Sequence, residues 1–229
     1  MTAAVRHPAK FSEPIMASLD RLVRAEVSRL GRPIRVLDPF AGTGRVHRLA
    51  RAGAVTTVGV EIEPEWAGLH PHTVCADCIA WMLARARRGG SGRFDLIVTS
   101  PCYGNRFSDC HEAKDGSRRR SYRHDLDRMP TDGSAGVLPW GPRYWSFHAE
   151  AYRAMHAILV PGGRALVNVS DFYRNETLVH AVEWHQGAMY GAGFVQAGRP
   201  RWIATSRMTE GANRQRAEAE AILVMERAA

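Results

Sequence analysis

A glycine-containing turn and two acidic residues stand at the ends of three successive apolar segments. The turn runs from Asp38 to Gly44, and its glycines let the chain turn tightly and a ligand approach the backbone. Glu61 ends the next apolar segment, roughly 20 residues on, where an acid can accept hydrogen bonds from two ribose hydroxyls. Asp77 ends the third segment, where it can accept from the exocyclic amine of adenine. Together these residues predict a site for a ligand that contains ribose and adenine.

Each of these features alone has an ordinary structural explanation. A Gly-x-Gly turn often serves only as a tight turn, and a single acid at a strand end is usually just solvated. Two acids at successive strand ends that face one glycine turn favour a ligand site instead. Val46 and His47 stand where the third glycine of the dinucleotide-binding pattern would lie, which argues against a nicotinamide cofactor.

The elements that carry these residues alternate between strands and helices. Apolar runs predict the strands, and apolar residues at helical spacing predict the helices. The alternation predicts a parallel sheet with helices on both faces, in which ligands bind at the carboxyl ends of the strands. The predicted strands are 34–37, 55–61, 74–76, 94–98, 164–169, a segment near Trp202 and 221–225, and the predicted helices are 14–30, from Gly44 through Arg51, 79–88, 145–159 and 178–190.

Residues 38–44, Asp-Pro-Phe-Ala-Gly-Thr-Gly, resemble the cofactor motif of the DNA methyltransferases that modify exocyclic base amines with S-adenosylmethionine. The resemblance implies that Asp38 orients the methionine amine of this cofactor. It also implies that Gly42 and Gly44 pack under the cofactor and that Glu61 holds its ribose.

An upstream segment, His-Pro-Ala-Lys-Phe-Ser at residues 7–12, looks like the part of this family that closes over the methionine end of the cofactor. Phe11 would pack on the cofactor there. The alternative is an N-terminal arm that ends in an ordinary helix cap. Lys10, Phe40 and Asp77 complete the cofactor contacts that we expect.

A polar turn, Thr-Ser-Pro-Cys-Tyr at residues 99–103, directly follows an apolar strand. It resembles the catalytic tetrapeptide of the same family, which is Asp, Asn or Ser followed by two prolines and an aromatic residue. The resemblance implies that Ser100 Oγ and the carbonyl of Pro101 accept hydrogen bonds from the target amine and so expose its lone pair. Tyr103 would stack on the flipped base. Cys102 replaces the second proline, which leaves the stiffness of the turn in question.

Cys102 also raises an alternative chemistry, because carbon-5 cytosine methyltransferases attack the base ring with a cysteine thiolate that follows a proline. In those enzymes the cysteine occupies the position that Tyr103 holds here, so Cys102 stands one residue early. The Glu-Asn-Val segment of those enzymes is also missing, and Asn-Val-Ser-Asp stands at residues 168–171 instead. We therefore expect that Cys102 is not a nucleophile.

Residues 104–144 form too long a stretch for a simple connection in a compact domain, so they predict a functional segment. Basic residues are interleaved there with aromatics such as Trp140 and Tyr144, which suits a nucleic-acid backbone and unstacked bases. The formal net charge of +8, which comes almost wholly from arginine, also favours a polyanionic partner. The six acidic residues of the segment support the alternative of a solvated loop. The expected nucleic-acid contacts are Asn105, Arg106, Arg118, Arg119, Arg120 and Arg123.

The resemblance covers nearly the whole chain and implies an α/β fold, a Rossmann-like class I methyltransferase. We expect a mostly parallel seven-stranded sheet with helices on both faces, in a single domain over residues 1–229, with a nucleic-acid-contacting insertion at about 104–144. The implied activity is methylation of an exocyclic amine of a DNA base, and Ser100 favours cytosine N4 over adenine N6. An RNA methyltransferase and an inactive nucleic-acid-binding module are the alternatives.

The composition, with 45% hydrophobic and 24% charged residues, is that of an ordinary globular protein. The apolar runs are too short to cross a bilayer and no signal peptide is visible, so we expect a cytoplasmic protein with no membrane partner. Cys75 and Cys78 have zinc-like spacing, but structural zinc sites usually show two such pairs, so no metal is expected.

Overall fold

The computed structural model describes residues 11–102, 104, 122–174, 177–204 and 219–228. Runs of branched and aliphatic side chains form its buried strands, because such side chains pack well on a pleated surface. The strands are β1 (Ile34–Asp38), β2 (Val55–Glu61), β3 (Thr73–Cys75), β4 (Phe94–Thr99), β5 (Leu159–Val169), β6 (Phe172–Arg174), β7 (Thr177–Val179), β8 (Phe194–Gln196), β9 (Arg201–Ala204) and β10 (Ala219–Arg227). The helices are α1 (Glu13–Leu30), α2 (Pro64–Ala67), α3 (Cys78–Ala86), α4 (Tyr122–Leu126), α5 (Pro142–Ile158) and α6 (Ala181–Gly191), with 3-10 helices at Arg45–Leu49, Gly90–Gly92 and Ala135–Val137.

The strand order across the main sheet is β3-β2-β1-β4-β5-β10-β8, and β9 also pairs with β10. Strands β1 to β5 pair in parallel, whereas β10 runs antiparallel to β5. The carboxyl ends of the parallel strands therefore lie at one end of the sheet. Asp38 of β1, Glu61 of β2 and Thr99 of β4 meet there. A separate hairpin, β6 with β7, follows the carboxyl end of β5.

Two apolar layers cover the faces of the sheet. On β1, Leu37 joins the cluster that includes α3, α5 and α6, while Val36 joins the cluster that includes α1. Ile97 and Leu96 repeat this division on β4, because successive side chains of a strand point to opposite faces. Both layers fix the central strands, and with them the strand ends that carry the predicted site. Within the described ranges, no helix is long and apolar enough to cross a membrane.

The predicted fold class is confirmed, and the helix expected at 14–30 agrees with α1 to within one residue. The helix expected from Gly44 through Arg51 is wrong, since a 3-10 helix, Arg45–Leu49, stands there instead. The reason is that the backbone of Arg51 forms a β-bridge with Val55, so the chain is already extended at that point.

The expected number of seven strands is also wrong, because the edge opposite β3 is divided between β8 and β9. Both pair with β10, but four residues of the edge (197–200) stand opposite only two residues of β10 (223–224). This excess interrupts the ladder in the manner of a bulge. Pro200 lies within it and has no N–H to donate.

Three further boundaries differ from the sequence-based expectation. The helix expected at 178–190 begins at Ala181, because Leu178 belongs to β7. β5 begins at Leu159, five residues before the expected start of this strand at 164. The expected insertion at 104–144 is partly regular, since it contains α4, a 3-10 helix and the start of α5.

The ion pairs of Arg164 indicate how firmly α1 is tied to the sheet. Its guanidinium donates to Glu26 of α1 at 2.6 Å and to Glu226 of β10 at 2.8 Å, and the Glu26 side chain is 7% exposed. Because Arg164→Ala removes this partner, we expect the free energy of unfolding, measured in urea, to fall by about 1–3 kcal/mol. Arg24→Ala is the matched control, since its pair with Asp20 is exposed and worth about 0.2–1 kcal/mol. Equal losses in the two variants would contradict this prediction.

Candidate active site at the carboxyl ends of the strands

A hydrogen bond joins the ends of β1 and β4, from which the two predicted motifs leave the sheet. The hydroxyl of Thr99 donates to Asp38 Oδ1 at 2.6 Å, and the backbone N–H of Phe40 donates to the same oxygen at 3.0 Å. Asp38 and Thr99 are both buried. The glycine turn (residues 38–44) and the Ser-Pro turn (residues 100–102) are therefore held side by side.

Glu61 is fixed against the glycine turn by backbone hydrogen bonds. Its Oε2 accepts from the N–H of Gly42 at 2.8 Å, and its Oε1 accepts from the N–H of Glu63 at 2.9 Å. Gly42 and Gly44 have φ values of 52° and 76°, in the left-handed region that favours glycine. The motif thus forms a tight turn closed by an acid from the neighbouring strand, and the ribose role of Glu61 stays a prediction.

Burial raises the pKa of both acids at this end of the sheet. The pKa of Asp38 rises from 3.8 to about 7, through burial and the nearby charge of Glu61. The pKa of Glu61 rises from 4.5 to about 7, through burial and the charge of Glu63. A cation or a set of hydroxyl donors would stabilise the charged carboxylates. The chemistry of these groups therefore suits a ligand with an ammonium group and ribose hydroxyls.

The other predicted cofactor contacts differ in their surroundings. Asp77 Oδ1 accepts from the N–H of Ala80 at 2.7 Å, so part of this carboxylate caps α3. Phe40 is half-buried within the glycine turn. Phe11 packs in the apolar cluster that includes α1, and its contact with a cofactor stays a prediction. Lys10 lies outside the described residues.

Ser100 and Pro101 stand at the end of β4, and their roles toward the amine stay a prediction. They follow Thr99 directly at the end of β4, where Ser100 is half-buried and Pro101 is buried. Tyr103 lies outside the described residues, so its stacking role stays a prediction.

Contacts from the segment after the Ser-Pro turn surround its last residues. The hydroxyl of Tyr144 donates to the carbonyl of Cys102 at 2.9 Å. The backbone N–H of Trp140 donates to the carbonyl of Gly104 at 2.9 Å. The hydroxyl of Tyr122 lies 3.7 Å from Cys102 Sγ. These contacts hold a turn that has only one proline.

The thiol of Cys102 lies in surroundings that disfavour the thiolate. Burial raises the pKa of Cys102 to about 12, and the charges of Glu61 and Asp38 raise it further. A thiol with such a pKa is protonated at neutral pH, whereas the thiolate is the nucleophile. These surroundings support the expectation that Cys102 does not attack the base.

Glu63 is a site residue that the sequence analysis missed. It is almost wholly buried and accepts from the guanidinium of Arg128 at 2.8 Å. It also accepts from the backbone N–H and hydroxyl of Thr131, at 2.9 and 2.8 Å. These bonds tie the later part of the insertion to the end of β2. The signal in the sequence was a second acid directly after a strand end, which alone does not differ from a solvated charge.

Arg123 is the predicted nucleic-acid contact that the structure describes. It is exposed on α4, next to Tyr122, whose hydroxyl reaches Cys102. The expectation that Tyr144 faces the substrate is wrong, because its side chain is 1% exposed and its hydroxyl donates to the carbonyl of Cys102. The remaining predicted contacts lie outside the described residues: Asn105, Arg106, Arg118, Arg119 and Arg120.

Cys75 and Cys78 differ in their surroundings. Cys75 is exposed, whereas Cys78 is buried at the start of α3 and burial raises the pKa of its thiol. In the part of the chain that the structure describes, no group of three or more His, Cys, Asp or Glu side chains could hold a metal ion.

Solved structures with a similar fold identify the architecture. No family model and no curated protein sequence matches this chain. A SAM-dependent methyltransferase from Agrobacterium tumefaciens aligns with a TM-score of 0.52 and 18% identity, over 98% of this chain and 64% of that one. TrmN from Thermus thermophilus aligns with a TM-score of 0.50 and 17% identity, over 97% of this chain and 50% of that one. The N-methyltransferase NodS from Bradyrhizobium japonicum WM9 aligns with a TM-score of 0.51 and 10% identity, over 95% of this chain and 99% of that one. The fold is that of SAM-dependent methyltransferases. The present chain covers less than two thirds of the length of the first two of these proteins.

The raised pKa of Asp38 predicts a pH-dependent stability for the methyltransferase fold without ligand. Its folded-state pKa of about 7 lies above the ordinary value of 3.8, so the folded protein holds more protons between these values. The stabilisation of the folded state by the protonated Asp38 carboxyl is fully present below about pH 4 and is lost as the pH rises to about 7. Asp38→Asn keeps an acceptor for Thr99 but does not titrate. We therefore expect the unfolding free energy of Asp38→Asn, relative to wild type, to rise between pH 4 and 7 in urea denaturation. A constant or falling difference would contradict the assignment.

Proposed function

We propose that this chain transfers a methyl group from S-adenosylmethionine to an exocyclic amine of a DNA base, with cytosine N4 favoured over adenine N6. The observation that carries the proposal is the hydrogen bond from Thr99 to Asp38, which holds the glycine turn beside Ser100 and Pro101. Residues suited to the methyl donor and acceptors suited to the amine thus stand at one site.

The residues around the glycine turn fit S-adenosylmethionine. When bound, this cofactor supplies a methyl group activated by its sulfonium. Asp38 would accept from the methionine ammonium, and Glu61 would accept from the ribose hydroxyls. Asp77 would accept from the adenine amine with the part of its carboxylate that does not cap α3. Gly42 and Gly44 allow the backbone to approach the cofactor closely.

The Ser-Pro turn would prepare the target amine for attack. An exocyclic amine is a poor nucleophile, because its lone pair is delocalised into the base ring. Hydrogen bonds from its NH₂ group to Ser100 Oγ and the Pro101 carbonyl favour a pyramidal nitrogen with an exposed lone pair. Tyr103 would hold the flipped base by stacking. Alignment of the nitrogen with the methyl carbon supplies much of the remaining acceleration.

DNA is the partner in this proposal. The net charge of +8 and the exposed Arg123, which follows Tyr122 on α4, support a nucleic-acid substrate. RNA, methylated on the same type of amine, is the alternative substrate. The proposal includes one domain over residues 1–229, a nucleic-acid-contacting insertion at about 104–144 and a cytoplasmic location.

Tritiated S-adenosylmethionine, incubated with duplex DNA, single-stranded DNA and tRNA, tests the proposal. We expect label in DNA, and nucleoside mass spectrometry should identify N4-methylcytosine. Label in tRNA alone would replace DNA by RNA in the proposal. Cofactor and nucleic-acid binding without any transfer would indicate an inactive binding module.

Ser100→Ala removes one of the two proposed acceptors for the amine. We expect methyl transfer to fall by about 100-fold, as follows from a misaligned amine. Cofactor affinity, measured by calorimetry, should stay unchanged, because Ser100 belongs to the Ser-Pro turn and not to the glycine turn. Full activity in a folded Ser100→Ala protein would remove this residue from the mechanism.

Glu61→Ala tests the cofactor site separately from transfer. Hydrogen bonds to a charged group contribute about 1.5–3 kcal/mol, so we expect cofactor affinity to fall by about 10- to 100-fold in calorimetry. Glu65→Ala is the matched control, because Glu65 is a nearby acid whose carboxylate pairs with Arg128 instead of the glycine turn. Equal affinities of wild type and a folded Glu61→Ala protein would contradict the ribose assignment.

A further inference from the structure

The Ser-Pro turn depends on contacts from outside itself for its shape. Pro101 fixes its own φ and restricts the residue before it, but Cys102 has ordinary backbone freedom. The proposed acceptor carbonyl of Pro101 lies in the peptide that joins these two residues, so it turns when Cys102 moves. An accurate amine site therefore needs a group that fixes Cys102.

Tyr144 of α5 supplies such a group. Its hydroxyl donates to the carbonyl of Cys102 at 2.9 Å, and its side chain is buried. The ring of Pro101 is buried on the preceding side of the same peptide. The peptide between them is thus held at both ends, by a buried ring and by a hydrogen-bonded carbonyl.

The hydroxyl of Tyr144 also contacts His185, whose other ring nitrogen contacts Tyr152. His185 Nε2 lies 3.0 Å from the Tyr144 hydroxyl, and His185 Nδ1 lies 2.6 Å from the Tyr152 hydroxyl. Because the Cys102 carbonyl can only accept, the single proton of Tyr144 points to it. Nε2 must then donate to Tyr144, and Nδ1 must accept from Tyr152.

This assignment gives one acceptor to each of three protons, those of the Tyr144 hydroxyl, His185 Nε2 and the Tyr152 hydroxyl. It requires a neutral His185 that carries its proton on Nε2. Burial lowers the pKa of His185 well below its usual range, and the nearby His148 lowers it further. The carbonyl of Cys102 therefore sets the direction of these hydrogen bonds from its own end, and Tyr152 follows it at the far end.

We propose that Tyr144 is a positioning residue for methyl transfer, which fixes the Pro101 carbonyl by holding the carbonyl of Cys102 where the turn lacks a second proline. The proposal rests on the proposed methyltransferase function. Tyr144 does not touch the base or the cofactor in this role. Its effect should therefore appear in the rate of transfer and not in cofactor binding.

Two tyrosine-to-phenylalanine variants separate positioning from stability. Tyr144→Phe removes the hydroxyl that holds Cys102. Tyr152→Phe removes an equally buried hydroxyl from the same histidine, but this hydroxyl does not reach the turn. We expect Tyr144→Phe to lower kcat by about tenfold or more, with the KM for cofactor unchanged. Tyr152→Phe should lose similar stability and keep its kcat. Equal kcat values in the two variants would overturn the proposal.

Cys102→Pro provides a rescue experiment. Among the described residues, the N–H of Cys102 donates to no group and positive φ outside glycine occurs at Asp127 alone, so a proline at 102 costs no hydrogen bond to these residues and replaces no positive φ. A proline at 102 would stiffen the turn without Tyr144. We therefore expect Tyr144→Phe to lower kcat by about twofold or less in the Cys102→Pro background, against about tenfold in wild type. An equal loss in both backgrounds would show that Tyr144 acts in another way.

Hydrogen exchange distinguishes failure of this proposal from failure of the proposed function. Peptides that cover residues 99–104 should exchange faster in Tyr144→Phe than in wild type, and Tyr152→Phe should match wild type. This readout needs no substrate. Unchanged exchange in Tyr144→Phe would overturn the positioning role even in an active enzyme. If Tyr144→Phe exchanges faster but the wild-type protein transfers no methyl group, Tyr144 holds the turn and the proposed enzymatic function is wrong.

Discussion

The hydrogen bond between Thr99 and Asp38 is the constraint on which the candidate site depends. β1 and β4 are neighbours in the middle of the sheet, paired in parallel through Leu37 and Ile97. Their carboxyl ends therefore lie close together, and the short bond between the two buried side chains joins them. Two turns of different sequence, one rich in glycine and one stiffened by proline, consequently leave the sheet at a fixed separation. Groups that must align within a fraction of an ångström need such a rigid base.

Three buried acids line this end of the sheet, and they are compensated differently. Glu63 pairs with the guanidinium of Arg128 and bonds to Thr131. Asp38 and Glu61 accept only from neutral donors among the residues that the structure describes. The difference divides the site electrostatically. Glu63 has a cationic partner from the insertion, whereas Asp38 and Glu61 have none among the described residues, and burial raises the pKa of each to about 7.

The sequence predicts local features of this protein well and distant contacts poorly. Apolar periodicity and the glycine turn depend on neighbouring residues, so the strands and the positions of Asp38 and Glu61 follow from them. The burial of Tyr144 and the partners of Glu63 depend on residues far along the chain, for which a single sequence carries no signal. The 3-10 helix at Arg45–Leu49 shows the same limit, because the bridge that shortens it forms with the next strand.

The described residues on either side of 105–121 both stand at the Ser-Pro turn. Gly104 stands two residues after Cys102, and the hydroxyl of Tyr122 lies 3.7 Å from the sulfur of Cys102. The flanks of the stretch 105–121 are thus in contact through a side chain, and the entropy of closing a loop between fixed flanks grows only slowly with its length. This stretch can lengthen, shorten or change in sequence while the sheet and the glycine turn stay as they are. Such an architecture separates a segment whose length the fold does not fix from the strand ends, which the core holds in place.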